Sequence, residues 1–86
     1  MARVDVIIVN YNAGAYLKAC IDGLRAQTLS DFAAVIVDNA SEDGSIEALG
    51  ALDERFQVVR NSDNLGFAVA CNQGAALGQA PWVAML

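Results

Sequence analysis

Nine consecutive residues, Val4–Asn12 (VDVIIVNYN), constrain the rest of the chain more than any other stretch. Val6, Ile7, Ile8 and Val9 offer water no polar face, so the strand they predict must be covered on both sides. Strands of that kind belong to parallel sheets held between helices, where ligands settle beyond the carboxyl ends of the strands. The run stops abruptly at Asn10, Tyr11 and Asn12, two amides around one flat ring. That end is the expected floor of any binding site.

The remainder alternates helix and strand. In Ala13–Gln27 the residues Tyr16, Leu17, Cys20, Ile21 and Leu24 share one helical face. Asn12 is placed to cap that helix. Leu29-Ser30-Asp31 reads as a loop, and Ala33–Val37 as a second strand running out into Asp38-Asn39-Ala40-Ser41. Caps within Ser41–Ser45 introduce a second helix through about Leu52, with Ile46, Leu49 and Leu52 on one side. Gln57–Arg60 is a short third strand, Asn61–Gly66 a polar turn, and Phe67–Leu77 a third helix rich in Ala and Gly. Gly78 can end it and Pro81 forbids its resumption. Trp82–Leu86 begins a fourth strand, and a chain that stops inside an apolar strand reads as the first part of a larger domain. The expected fold is α/β, a parallel sheet with helices on both faces and strand order 3-2-1-4. Right-handed crossovers then place the first two helices on one face and the third on the other.

Composition removes several functions. The charge is −5, and the five basic residues are scattered rather than striped, so no nucleic-acid backbone is expected as partner. No apolar run reaches the roughly 20 residues that cross a bilayer, and no signal-peptide core opens the chain. A cytoplasmic location is expected, with peripheral contact at the inner face of a membrane open to the full protein. Cys20 and Cys71 read as small buried hydrophobes in separate helices, and without a His they make a poor zinc site. G-x-G-x-x-G after the first strand and the phosphate-loop motif are both missing, which disfavours a common dinucleotide or P-loop fold.

The residues left to carry chemistry lie at the strand ends. Asp38 can accept the imide hydrogen of a flat base such as uracil or thymine, or can merely close the following turn through an Asx bond. Tyr11 can stack on that base or pack under the first helix. Asn64 and Gly66 precede a helix whose first amides can meet phosphate, or are a cap and a tight turn. Glu42 and Asp43 sit where helix-start acids are ordinary.

Three segments, VIIVNYNAGAYLKACIDGL, VIVDNASEDGS and NLGFAVACNQGAALGQAPWVAML, together resemble the inverting family-2 glycosyltransferases of the GT-A fold. They follow the family's order and spacing and cover nearly the whole chain. Asn39-Ala40-Ser41 after Asp38, where many members have Asp-Gly-Ser, looks like the rhamnosyltransferase branch. The resemblance implies a Rossmann-like nucleotide-binding half of such a domain, truncated in or near the fourth strand. Val9, Asn10 and Tyr11 would border the nucleoside, Asp38 would bond the pyrimidine imide, and Asn64 and Gly66 would lie beside base and ribose. The donor would be a nucleoside-diphosphate sugar of the UDP or dTDP type, and the acceptor a hydroxyl, on a saccharide or lipid-linked saccharide. A divalent metal, Mg²⁺ or Mn²⁺, is implied for the complete enzyme, with its ligands and the catalytic residues beyond Leu86. Residues 1–86 alone are then expected to be inactive and prone to self-association. The alternatives are a non-catalytic nucleotide-binding or regulatory module, and an interaction fragment with a degenerate pocket.

Overall fold

The structure is a computed structural model and describes residues 4–26, 32–78 and, as backbone, 82–85. The apolar run forms β1 (Val4–Asn10), followed by α1 (Ala15–Arg25), β2 (Phe32–Asn39) and a single 3₁₀ turn at Glu47–Leu49. Then come β3 (Phe56–Asn61), α2 (Phe67–Leu77) and β4 (Trp82–Met85). Every pairing is parallel. β1 and β2 run in register from Val4↔Phe32 to Asn10↔Asp38, and β2 and β3 from Ala34↔Phe56 to Asn39↔Asn61. β4 lies along the other edge of β1, from Val4↔Trp82 to Ile7↔Met85. The chain thus forms the α/β architecture expected of it, a parallel sheet between helices.

Alternation along the strands divides the core in two. Val6 and Ile8 of β1, Ala34 and Ile36 of β2 and Phe56 of β3 meet Leu17 and Ile21 of α1 and Leu49 of the 3₁₀ turn. On the opposite face Val35 and Val37 pack with Ala70 of α2, supported by Val9 and Val59. Each Val, Leu, Ile or Phe side chain so buried contributes about 1.5–3 kcal/mol, and Ile36 and Val37 at 0% exposure sit at the centre of the two layers. α2 can approach because Gly74 faces β1: a Cβ there would come 2.7 Å from Ile7 Cγ2. Cys20 joins the first layer and Cys71 is buried in α2 across the sheet, both as free thiols.

Several local expectations need correcting. The second helix is only the 3₁₀ turn, because Gly50 takes φ 67° directly after Leu49 and the chain leaves the helical region. Ile46 and Leu52 still pack on the core from either side of it. Asn12 does not cap α1; Gly14 occupies that position without a side-chain bond, and Asn12 itself is left-handed at φ 51°. The second and third strands run one or two residues beyond their predicted limits at both ends. Gln27, Leu29-Ser30-Asp31, Pro81 and Leu86 lie outside the described residues.

The two ends of the sheet differ in chemistry. Where β2 and β3 begin, the Phe32 and Phe56 rings meet edge to face, 5.8 Å apart. The Arg55 guanidinium lies 4.6 Å from the Phe32 ring centre, and Arg25 lies 5.7 Å from that of Phe56. Among the described residues the buried polar side chains other than Asp5, namely Asn10, Asp38, Asn39 and Ser45, gather at the carboxyl end.

Candidate functional site

At that carboxyl end the pleat sorts the side chains into two hydrogen-bonded clusters. Asn10 and Asp38 are paired residues on the α1 side, 0% and 1% exposed. Asn10 Nδ2 donates to Asp38 Oδ1 at 2.8 Å, and lies 3.0 Å from Ser41 Oγ and 2.9 Å from Ser45 Oγ. Asp38 Oδ2 accepts the Ser41 N–H at 3.2 Å. Asp38 therefore does form its turn. It also carries a charge-assisted bond to the neighbouring strand, and each oxygen keeps a lone pair. Asn10 Oδ1 is buried with no partner among the described residues, a condition that costs about 1–3 kcal/mol.

The loop after β2 is stitched to the loop after β1. Ser41 Oγ accepts the Asn12 N–H at 2.9 Å, and Asn12 Oδ1 accepts the Glu42 N–H at 2.8 Å. Asp43 accepts the Ser45 hydroxyl at 2.6 Å, the Ser45 N–H at 3.0 Å and the Gly14 N–H at 2.9 Å. These bonds, led by the Ser45 hydroxyl, hold the Asp43 carboxyl below its ordinary value. The acids at 42 and 43 thus serve the loop rather than a helix start.

The second cluster, on the α2 side, is built of amides. Asn39, 2% exposed, accepts from Asn61 Nδ2 at 2.9 Å and donates to the Gly66 carbonyl at 3.2 Å. Asn61 and Gln73 exchange two bonds, at 2.8 and 3.0 Å. Together they fix the loop that delivers Asn64 and Gly66. Asn64 is not a helix cap: its Oδ1 accepts the Gly66 N–H at 2.9 Å, and Gly66, at φ 87°, is the N-cap of α2 with no side-chain bond.

Of the residues singled out from sequence, Asn10 and Asp38 come together and Val9 lies half-buried behind them. Tyr11 stands 54% exposed instead of packing under α1. Asn64 and Gly66 are exposed at the end of α2, held by the amide cluster. Ser41, Ser45, Asn39, Asn61 and Gln73 were not anticipated as members of the site. Asn39, Asn61 and Ser41 carried the signal of a polar side chain at or just past a strand end, Ser45 lies farther along the same loop, and Gln73, within α2, carried none. Among the described residues no three His, Cys, Asp or Glu side chains gather to hold a metal. No described helix is long and apolar enough to cross a membrane. A hollow of about 480 Å³ opens beside Asn12–Tyr16 and Ala19. Its polar side chains are those of Asn12, already bonded to the Glu42 N–H, and Tyr16.

Residues 5–86 match the family model described as glycosyl transferase family 2. The chain is 28% identical over 86 residues to the putative glycosyltransferase EpsH of Bacillus subtilis (strain 168), covering 96% of this chain and 25% of that protein. It is 34% identical over 86 residues to a PGL/p-HBAD biosynthesis glycosyltransferase of Mycobacterium bovis, covering 95% of this chain and 33% of the relative. It therefore spans only a quarter to a third of these relatives. Its backbone is similar to a mannosyltransferase of Pyrobaculum calidifontis solved in complex with GDP-Man and Mn²⁺. The TM-score is 0.78 at 24% identity, over 90% of this chain and 24% of that one, a likeness of fold.

Proposed function

The chain belongs to glycosyl transferase family 2, and from that membership we propose that it forms the nucleotide-binding part of a sugar-transferring enzyme. The donor is a nucleoside-diphosphate sugar of the UDP or dTDP type. The acceptor is a hydroxyl of a saccharide or lipid-linked saccharide. Asp38 accepts the N3–H of the pyrimidine, and the exposed Tyr11 ring stacks on the base. Val9 and Asn10 lie behind them, and the Asn64–Gly66 loop borders base and ribose. The N-terminus of α2, where no side chain caps the first amides, faces the anionic part of the donor. The complete enzyme joins the acceptor oxygen to the anomeric carbon as the bond to the diphosphate breaks, and residues outside this chain take the acceptor proton. A divalent cation, Mg²⁺ or Mn²⁺, would aid departure of the diphosphate. No site among the described residues fits it, so its ligands belong elsewhere in the protein.

The observation that carries this reading is the buried Asn10–Asp38 pair at the carboxyl edge of a parallel sheet, where such folds bind ligands. Because Asp38 is 1% exposed, a base reaches it only as the loop at 40–45 draws back. A second reading takes support from the same number: Asp38 as turn-former alone, in a module that transfers nothing. Calorimetry of the full-length protein separates the two. Asp38→Asn is expected to weaken UDP or dTDP by about 1.5–3 kcal/mol, the range for a hydrogen bond to a charged group. Unchanged affinity in a folded variant leaves only the turn.

A further inference from the structure

We infer that Asn10 is the positioning residue of the base site, the amide that holds the Asp38 carboxylate in the orientation a nucleobase meets. This rests on the assignment of Asp38 to the base. Asn10 ends β1 with no exposed surface and stands opposite Asp38 in register. Its Nδ2 faces Asp38 Oδ1, Ser41 Oγ and Ser45 Oγ, all within 3.0 Å. An amide nitrogen carries two hydrogens, so three acceptors compete for them and the charged one has first claim. Ser45 sends its own hydrogen to Asp43, and Ser41 Oγ already accepts the Asn12 N–H.

The orientation of the amide is informative. Turned over, Oδ1 would meet the two hydroxyls but would also press a carbonyl oxygen against the carboxylate. It stays as it is, and Oδ1 remains the buried oxygen without a partner among the described residues. The bond to Asp38 accounts for the way the amide is turned. Asp38 is in turn clamped from both sides, by Asn10 on Oδ1 and by the Ser41 N–H on Oδ2. When the loop at 40–45 draws back for a base, the Ser41 bond goes with it, and Asn10 on β1 is the contact that keeps the carboxylate's direction. Without Asn10 the carboxylate can then turn.

A double-mutant cycle on the full-length protein tests this, with UDP, dTDP and GDP as calorimetric probes and thermal melting as the stability readout. Asn10→Ala is expected to weaken the best-bound nucleotide about ten-fold. It should weaken it no further once Asp38 is Ala, because nothing is left to orient. Asn10→Asp, nearly isosteric, sets a second carboxylate against the first and should cost more affinity than Asn10→Ala. Combining Asn10→Asp with Asp38→Asn re-forms the hydrogen bond. It should recover melting temperature but not affinity, since the carboxylate then points from the wrong strand. Additive losses in the cycle, or wild-type affinity in folded Asn10→Ala protein, overturn the positioning role. If Asn10→Ala does not fold, the exchanged pair decides: affinity returning with stability makes Asn10 a strut and overturns the role. Wild-type affinity in Asp38→Ala instead removes the base from Asp38, which is failure of the parent reading and is seen separately.

Discussion

Gly78 follows α2 at φ −86° and ψ 159°, extended backbone open to any residue, so its requirement for glycine is one of space. A Cβ there would overlap the carboxylate of Asp5, which is buried at 4% exposure in β1 and has a polar interaction of its own. The acid therefore has little freedom to withdraw. Gly78→Ala is expected to lower stability by about 1–3 kcal/mol, the usual cost of overpacking, read as a shift in the denaturant midpoint. Asp5→Ala in the same chain should relieve much of that overlap. At the same scale, that Asn10 and Asp38 lie side by side was legible from sequence, because each ends an apolar run of one parallel sheet. Asn39, Asn61 and Gln73 were not, since their amide ladder joins β2, β3 and α2 and exists only once register is set. The same holds for Ser41 and Ser45, which reach Asn10 from another strand's loop.

Between α1 and the loop after β2, Asp43 is the tie, and it gives that element a pH dependence. Its carboxyl is held below the ordinary value, chiefly by the Ser45 hydroxyl and then by backbone N–H groups including that of Gly14. A depressed folded value means the stabilisation is present above the unfolded carboxylate pKa of about 3.9 and is lost as pH falls through the folded value. Protection of the amides at the start of α1, taken relative to the intrinsic exchange rate at each pH, should therefore fall on acidification below about pH 4. Asp43→Asn, which cannot change charge, should show a flatter profile. Asp53, lowered to about 2 by Arg55, acts in the same direction in both proteins and cancels in the comparison. Element types were largely legible here because hydrophobic period decides them. The exception was the stretch around Ile46, Leu49 and Leu52, whose spacing suits a helix although Gly50 ends the turn after three residues. A cap assigned to Asn12 failed for a related reason: its side chain was taken by the Glu42 N–H of a distant loop.

Taken whole, the molecule keeps much apolar surface. Phe67 is 62% exposed, Leu77 48%, Val69 47% and Leu65 45%, all on α2 or its approach. Large apolar side chains left exposed together on one helix favour association. Residues 1–86 made alone are expected to self-associate and to turn over no sugar nucleotide. Sedimentation should show concentration-dependent oligomers, and Phe67→Glu should shift them toward monomer; a monodisperse monomer at high concentration would refute the expectation. The sheet order has a consequence in time as well. The neighbours of β1 are synthesised far apart, β2 directly after α1 but β4, whose Trp82 pairs with Val4, only after α2. At about 5–20 residues per second, one edge of the strand that carries Asn10 waits roughly 4–16 seconds on the ribosome for its partner. During that interval, rather than in the finished fold, the strand is most open to pairing with the wrong chain.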